Sequence, residues 1–166
     1  TSRAKVDRVA SNRRIPTDDG TVRWRGSACT NAELRAAPEG IIDPYLKTIT
    51  RARSGKPLVR LHYYATHPQS RYREGRAGID TAGMARQRLE KKEGVFQIYF
   101  TGCSGDVAMG KYNDRSFEAR KELTDRLYAG MEASAAAAQF ASAKSIEWRV
   151  APVSLPPRTD GKYDPA

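Results

Sequence analysis

Histidine and cysteine are scarce in this chain: two of each in 166 residues. Cys29 and Cys103 form no C-x-x-C pair, which excludes a thiolate zinc cluster built within the chain. One disulfide and two reduced thiols are both compatible with that count, so cysteine usage does not fix the redox compartment. No apolar run approaches the roughly 20 residues that span a bilayer, and no transmembrane helix is expected. The first residues, Thr1-Ser2-Arg3-Ala4-Lys5-Val6, lack the apolar stretch of a signal peptide and an initiating Met. The natural start is therefore expected upstream. Acidic residues are outnumbered, 19 against 29 Lys and Arg, for a formal charge of +10. The bases are scattered, with no run of five or six, no interleaved aromatics and no nucleic-acid-binding motif. This excess reads as solvated surface plus a few functional arginines, with no specific nucleic acid partner.

What is present suits one globular domain with generous polar loops: 39% hydrophobic residues, 29% charged residues and a mean hydropathy of −0.67. Residues 1–40 are rich in turn formers, with one short alternating strand at Thr21–Arg25 after an Asp19-Gly20 turn. Tyr45 to Arg51 alternates as a strand, and Ser54-Gly55-Lys56-Pro57 reads as a turn. Leu58 to Ala65 is almost continuously apolar and aromatic, the pattern of a strand covered on both faces. Pro68 ends it sharply. Asp80 or Thr81 can cap a helix to about Glu93, with Met84, Ala85 and Leu89 inward, stopped by Gly94. Val95–Phe100 is a third strand, and Asp114 can cap a long helix to about Ala141. Its buried stripe is expected at Phe117, Leu123, Leu127, Met131 and Ala135. Ile146 to Val153 reads as a last strand. The order implies an α/β fold, a mixed β-sheet flanked by helices forming a partial domain. Its chemistry is expected beyond the strand ends, in the loops His67–Asp80 and Thr101–Asp114.

Few residues in those loops can carry a reaction. His62 and His67 are five apart on an extended chain and point to opposite faces, so they cannot share one ion. His62, mid-strand, reads as a buried histidine satisfied by a neighbour; His67, at the strand end beside a proline, is the functional candidate. Gly102-Cys103-Ser104-Gly105 falls one position short of the Gly-x-Ser-x-Gly elbow. It is either a tight turn of small residues or a nest of backbone N–H groups for an oxyanion. Asp80 and Asp106 are cap or turn formers by default, or carboxylates that orient a ligand histidine.

Four segments in order then carry a resemblance: Ser11-Asn12-Arg13-Arg14, Tyr64-Ala65-Thr66-His67-Pro68-Gln69-Ser70, Asp80-Thr81-Ala82-Gly83-Met84-Ala85 and Gly102-Cys103-Ser104-Gly105-Asp106-Val107. Together, over residues 5–142, they resemble the N-terminal catalytic domain of neutral/alkaline non-lysosomal ceramidases, especially divergent bacterial members. The resemblance implies a zinc ion held by two histidines, a glutamate and a tyrosine, activating water to hydrolyse an amide. It makes His67 a metal ligand and places Arg13 near the reacting carbonyl as an oxyanion donor. It also puts Asp80 and Gly83 on a Gly-Asp-x-x-Gly segment, where Ile79 replaces the first glycine, and so adds Asp80 to the catalytic set. By the same resemblance the second histidine belongs upstream of this chain, and the glutamate and tyrosine belong downstream. Residues 1–155 would be the central to C-terminal part of such a domain, and 156–166 a linker or tail. Ala108 stands where the family's catalytically important serine is found.

The expected activity is thus that of a piece of a zinc-dependent amidase-type hydrolase, not competent by itself, acting on a small-molecule or lipid amide. The resemblance suggests a secreted or periplasmic protein. A non-catalytic binding or structural domain that keeps this scaffold is the alternative, and Ala108 favours it.

Overall fold

A two-residue turn sets the register of the central hairpin. In the computed structural model, which describes residues 1–72, 74–75, 77–142, 145 and 147–156, Ser54 and Gly55 both take positive φ, 49° and 74°. That pair of dihedrals is what a tight hairpin turn between right-twisted strands requires. It joins β5 (Tyr45–Arg53) to β6 (Lys56–Tyr64). From β6 the chain crosses through α2 (Asp80–Glu93) to β7 (Phe96–Thr101), which lies parallel to β6, while β1 (Ser2–Lys5) pairs antiparallel with β5 on the other side. The result is a four-stranded mixed sheet in the order β1-β5-β6-β7. Gly94, left-handed at φ 66°, ends α2 as its sequence position predicts.

The second long helix, α3 (Phe117–Ala136), packs on β1 and β5, α2 packs on β7, and the two helices pack on each other, so both cover the same sheet face. Val6, Val9, Leu46, Tyr64, Leu89, Leu123, Leu127 and Met131 fill this layer. Each fully buried leucine contributes on the order of 2 kcal/mol. Through its middle runs a polar band. Ser134 donates to Thr48 Oγ1 at 2.8 Å, Thr48 bonds His62 Nδ1 at 2.9 Å, and His62 Nε2 bonds Gln97 Oε1 at 2.8 Å.

Three expectations need correction. β6 is covered on one face only: Arg60, His62 and Tyr64 lie under the helices, while Val59, Leu61 and Tyr63 sit half-buried on the opposite, open face. There Tyr63 stacks on Phe100 with ring centroids 5.0 Å apart. The long helix begins later and ends earlier than Asp114–Ala141, because Ser116 supplies the N-cap, accepting from Ala119 N–H. Phe117 therefore falls in the first turn, 68% exposed, with the Arg71 guanidinium over its ring, 4.1 Å from the centroid. Finally, residues 147–153 form no strand; Ile146, the first residue of that expectation, lies outside the described residues.

The N-terminal segment is more structured than one strand and a loop. β2 (Ser11–Asn12) pairs with β8 (Val107–Ala108), β3 (Arg14–Pro16) forms a hairpin with β4 (Val22–Trp24), and a short α1 (Ala32–Ala36) follows. Arg25, 1% exposed, ties these pieces together. Its guanidinium donates to the carbonyls of Asn12, Leu34, Ala37 and Pro38 at 2.9–3.2 Å. Burial pushes its pKa below the ordinary arginine value, and four carbonyl dipoles offset that cost.

Candidate active site

Because β6 and β7 are parallel, the loops that leave them emerge at the same edge of the sheet. The β6 loop carries His67 and the β7 loop carries β8; the two meet where His67 N–H donates to Val107 O at 3.0 Å. His67 also bridges Ala108 in parallel register. Its Nδ1 lies 3.0 Å from the same Val107 oxygen. A carbonyl oxygen only accepts, so Nδ1 carries a proton, and in the neutral ring Nε2 then holds the lone pair. Among the described residues no protein group takes Nε2. A histidine so fixed by a backbone carbonyl is oriented as a metal ligand or a base is.

β2 runs along the far side of β8 and brings in Arg13. Its backbone N–H donates to Asp106 O at 2.7 Å, and its guanidinium bonds Gly105 O and lies 4.9 Å from the centre of the Trp24 ring. Arg14, on the neighbouring position, pairs with Asp106 at 2.7 Å. Arg13 and His67 thus line one cleft of about 410 Å³ together with Trp24, Ser27, Gln69, Tyr72 and Arg115. A guanidinium beside an open imidazole nitrogen can stabilise an oxyanion that forms near that nitrogen.

Asp80 is not part of that wall. Its carboxylate accepts from Ser70 N–H at 3.0 Å, from the Ser70 hydroxyl at 2.6 Å and from Thr81 N–H at 2.6 Å. It lines an adjoining cleft, which shares Gln69 and Tyr72 with the first. In place, Asp80 is a clamp that holds the His67 loop against the start of α2, with its own φ at 48°. His62 stays in the core and takes no part. Cys29 and Cys103 are both free thiols, and Ser104 is buried in the β7–β8 turn, its carbonyl accepting Val107 N–H at 2.9 Å. Ala108, completely buried, is paired with Ser11 beside His67.

Sequence reasoning missed the residues that shape the walls. Asn113 is fully buried. Its Nδ2 donates to the carbonyls of Ser27 and Ser70, both at 2.8 Å, and its Oδ1 accepts Arg115 N–H at 3.0 Å. Ser27 Oγ in turn donates to Gln69 Oε1 at 3.0 Å. The contacts of Asn113 Nδ2 and of Ser27 Oγ join positions 42 to 86 residues apart, and no local pattern in the sequence marks them. Trp24 was visible only as one residue of an alternating strand.

No protein-family model and no curated protein sequence matches the chain. Solved structures similar to it include two of ceramidases. One is the neutral ceramidase from Pseudomonas aeruginosa, with 15% identity and a TM-score of 0.55, over 81% of this chain and 22% of that one. The fold is ceramidase-like. A second structure, of a ceramidase complexed with C2, gives 15% identity and a TM-score of 0.56 over 81% of this chain and 21% of that one. This chain thus spans about a fifth of the length of those ceramidases. At such identity the likeness concerns the fold and leaves activity to be argued from the site. Among the described residues no three His, Cys, Asp or Glu side chains gather where they could hold a metal. His67 presents Nε2 to the cleft with no such His, Cys, Asp or Glu cluster around it among the described residues.

Proposed function

We propose that this chain is part of a zinc-dependent amide hydrolase of the ceramidase type. The observation that carries this reading is the His67 side chain. Its Nδ1–H is held by Val107 O, and its free Nε2 shares a cleft with Arg13, in a fold similar to that of ceramidases. A zinc ion at such a site supplies water of lowered pKa and polarises the scissile carbonyl. His67 would be one of its ligands. Arg13 would donate to the oxygen of the amide as it gains charge, and its stack on Trp24 keeps the guanidinium in place. Asp80 would act as a positioning residue, fixing the loop through Ser70. A small-molecule or lipid amide is the proposed substrate.

The test is hydrolysis by the zinc-loaded protein that carries this chain, assayed on ceramide and on simpler N-acyl amides. His67→Ala is expected to abolish turnover, and Arg13→Gln to lower kcat by about 10²–10³-fold. No hydrolysis of any amide, or full activity in His67→Ala, would sink the reading.

A second reading has one observation in its favour. Ala108, beside His67 in the isolated bridge, offers no hydroxyl where the resembling enzymes have a serine. A scaffold that binds amide-like ligands without cleaving them would tolerate that residue, and saturable ligand binding with no turnover would establish it.

A further inference from the structure

The cleft that holds His67 is one-sided in its charge. Arg13, Arg115 and His67 line it, and among the described residues no aspartate or glutamate does. Acidic side chains nearby are already engaged: Asp106 by Arg14, Glu74 by Arg71, Asp80 by Ser70 and Thr81. Of the two arginines, Arg13 is committed to Gly105 O and to the Trp24 ring. Arg115 differs. Its side chain has no hydrogen-bond or ion-pair partner among the described residues, and it stands exposed at the cleft wall.

Its backbone is held in an uncommon shape. Arg115 has φ 76°, a left-handed conformation that long side chains seldom adopt. Glycine or asparagine would sit there with less strain, yet an arginine does. Asn113 fixes the position by accepting Arg115 N–H while binding Ser27 O and Ser70 O. One buried side chain therefore sets the distance between the Ser27 wall, the His67 loop and Arg115. Asn113 thus fixes the backbone that places Arg115 at the cleft wall, where a guanidinium free at its charged end can receive an anion.

We propose that this cleft takes an amide that also carries an anionic group, a carboxylate or a phosphate, and that Arg115 binds that group. Cleavage of that amide rests on the amide-hydrolase reading above; its binding does not. The guanidinium fork suits either anion, and both its charge and the absence of competing carboxylates favour an anionic ligand over its neutral isostere. A volume of about 410 Å³ lies at the lower end of small-molecule sites, which fits a compact amide head group.

Calorimetry with three probes tests this: N-acetylglycine, its neutral isostere N-acetylglycinamide, and inorganic phosphate. N-acetylglycine is expected to bind at least about tenfold tighter than the neutral amide, and less tightly as salt is raised. Arg115→Gly, which suits the left-handed backbone and should fold, is expected to erase that preference; Arg115→Gln should do the same. Arg53→Gln, on the hairpin away from the cleft, should retain it. Competition by phosphate would show that the receptor accepts either anion, and its failure to compete would narrow the class to carboxylates. Equal binding of acid and amide, no saturable heat with any probe, or an intact preference in Arg115→Gly would overturn the proposal. Anion binding without hydrolysis of any amide would remove the hydrolase reading and leave this one standing. Hydrolysis with no preference for the acid would do the reverse.

Discussion

Two histidines on one strand and its exit meet opposite fates, and hydrogen bonding decides both. His62 bonds through both ring nitrogens inside the helix-covered layer, to Thr48 and Gln97. His67 bonds through one and leaves the other to the cleft. Burial is the main reason His62 titrates below its ordinary value of 6.5; the nearby Arg60 charge adds to that, while Gln97 and Glu93 oppose it. On acidification the unfolded chain therefore takes up a proton first. The stability contributed by neutral His62 is complete above pH 6.5 and is lost as pH falls from there through the lowered folded value. Urea midpoints should accordingly begin to drop as pH falls below 6.5, before most carboxylates titrate. His62→Gln, uncharged throughout, should flatten that slope. An equally steep slope in the variant would assign the effect elsewhere.

At the scale of elements, the parts with strong local signals were legible. The alternation of β5, the Ser54-Gly55 turn, the Gly94 stop and the apolar run of β7 all identify themselves within a few residues. β6 misled because Val59, Leu61 and Tyr63 occupy the open face while the polar Arg60 and His62 are buried on the other. Periodicity reports hydrophobicity, whereas burial here follows hydrogen-bond satisfaction, with Arg60 paired to Glu93 at 2.8 Å. The start of α3 shifted because Asp114 accepts Ser116 N–H at 2.9 Å in a turn of its own, leaving Ser116 to cap. Of the site, His67 was legible from its strand-end position. The Asn113 clamp and the Asp80–Ser70 contact were not, since both depend on tertiary placement. That contact gives a prediction at this scale. Asp80→Ala should leave α2 folded while the Ser70 amide exchanges with solvent faster, by at least about tenfold, measured by hydrogen exchange with mass spectrometry or NMR. Unchanged protection at Ser70 would show that the loop is held by other contacts.

At the scale of the whole molecule, helices cover one face of the four-stranded sheet and leave Ile49, Phe96 and Phe100 exposed on the other. Its candidate site gathers at one edge, with one imidazole and two arginines in the same cleft. A lone histidine does not hold zinc tightly, so this chain by itself should retain less than one equivalent after dialysis. Elemental analysis checks this. One tightly held equivalent, lost in His67→Ala, would show that the chain completes a shell of its own. The hydrolase reading rests on the ring of His67, with Nδ1 held by Val107 O in a cleft that Arg13 also lines. Long-range ¹H–¹⁵N correlation NMR of the neutral imidazole reads that state directly. The account predicts the Nδ1–H tautomer, which a free histidine disfavours. A ring found as the Nε2–H tautomer would contradict it.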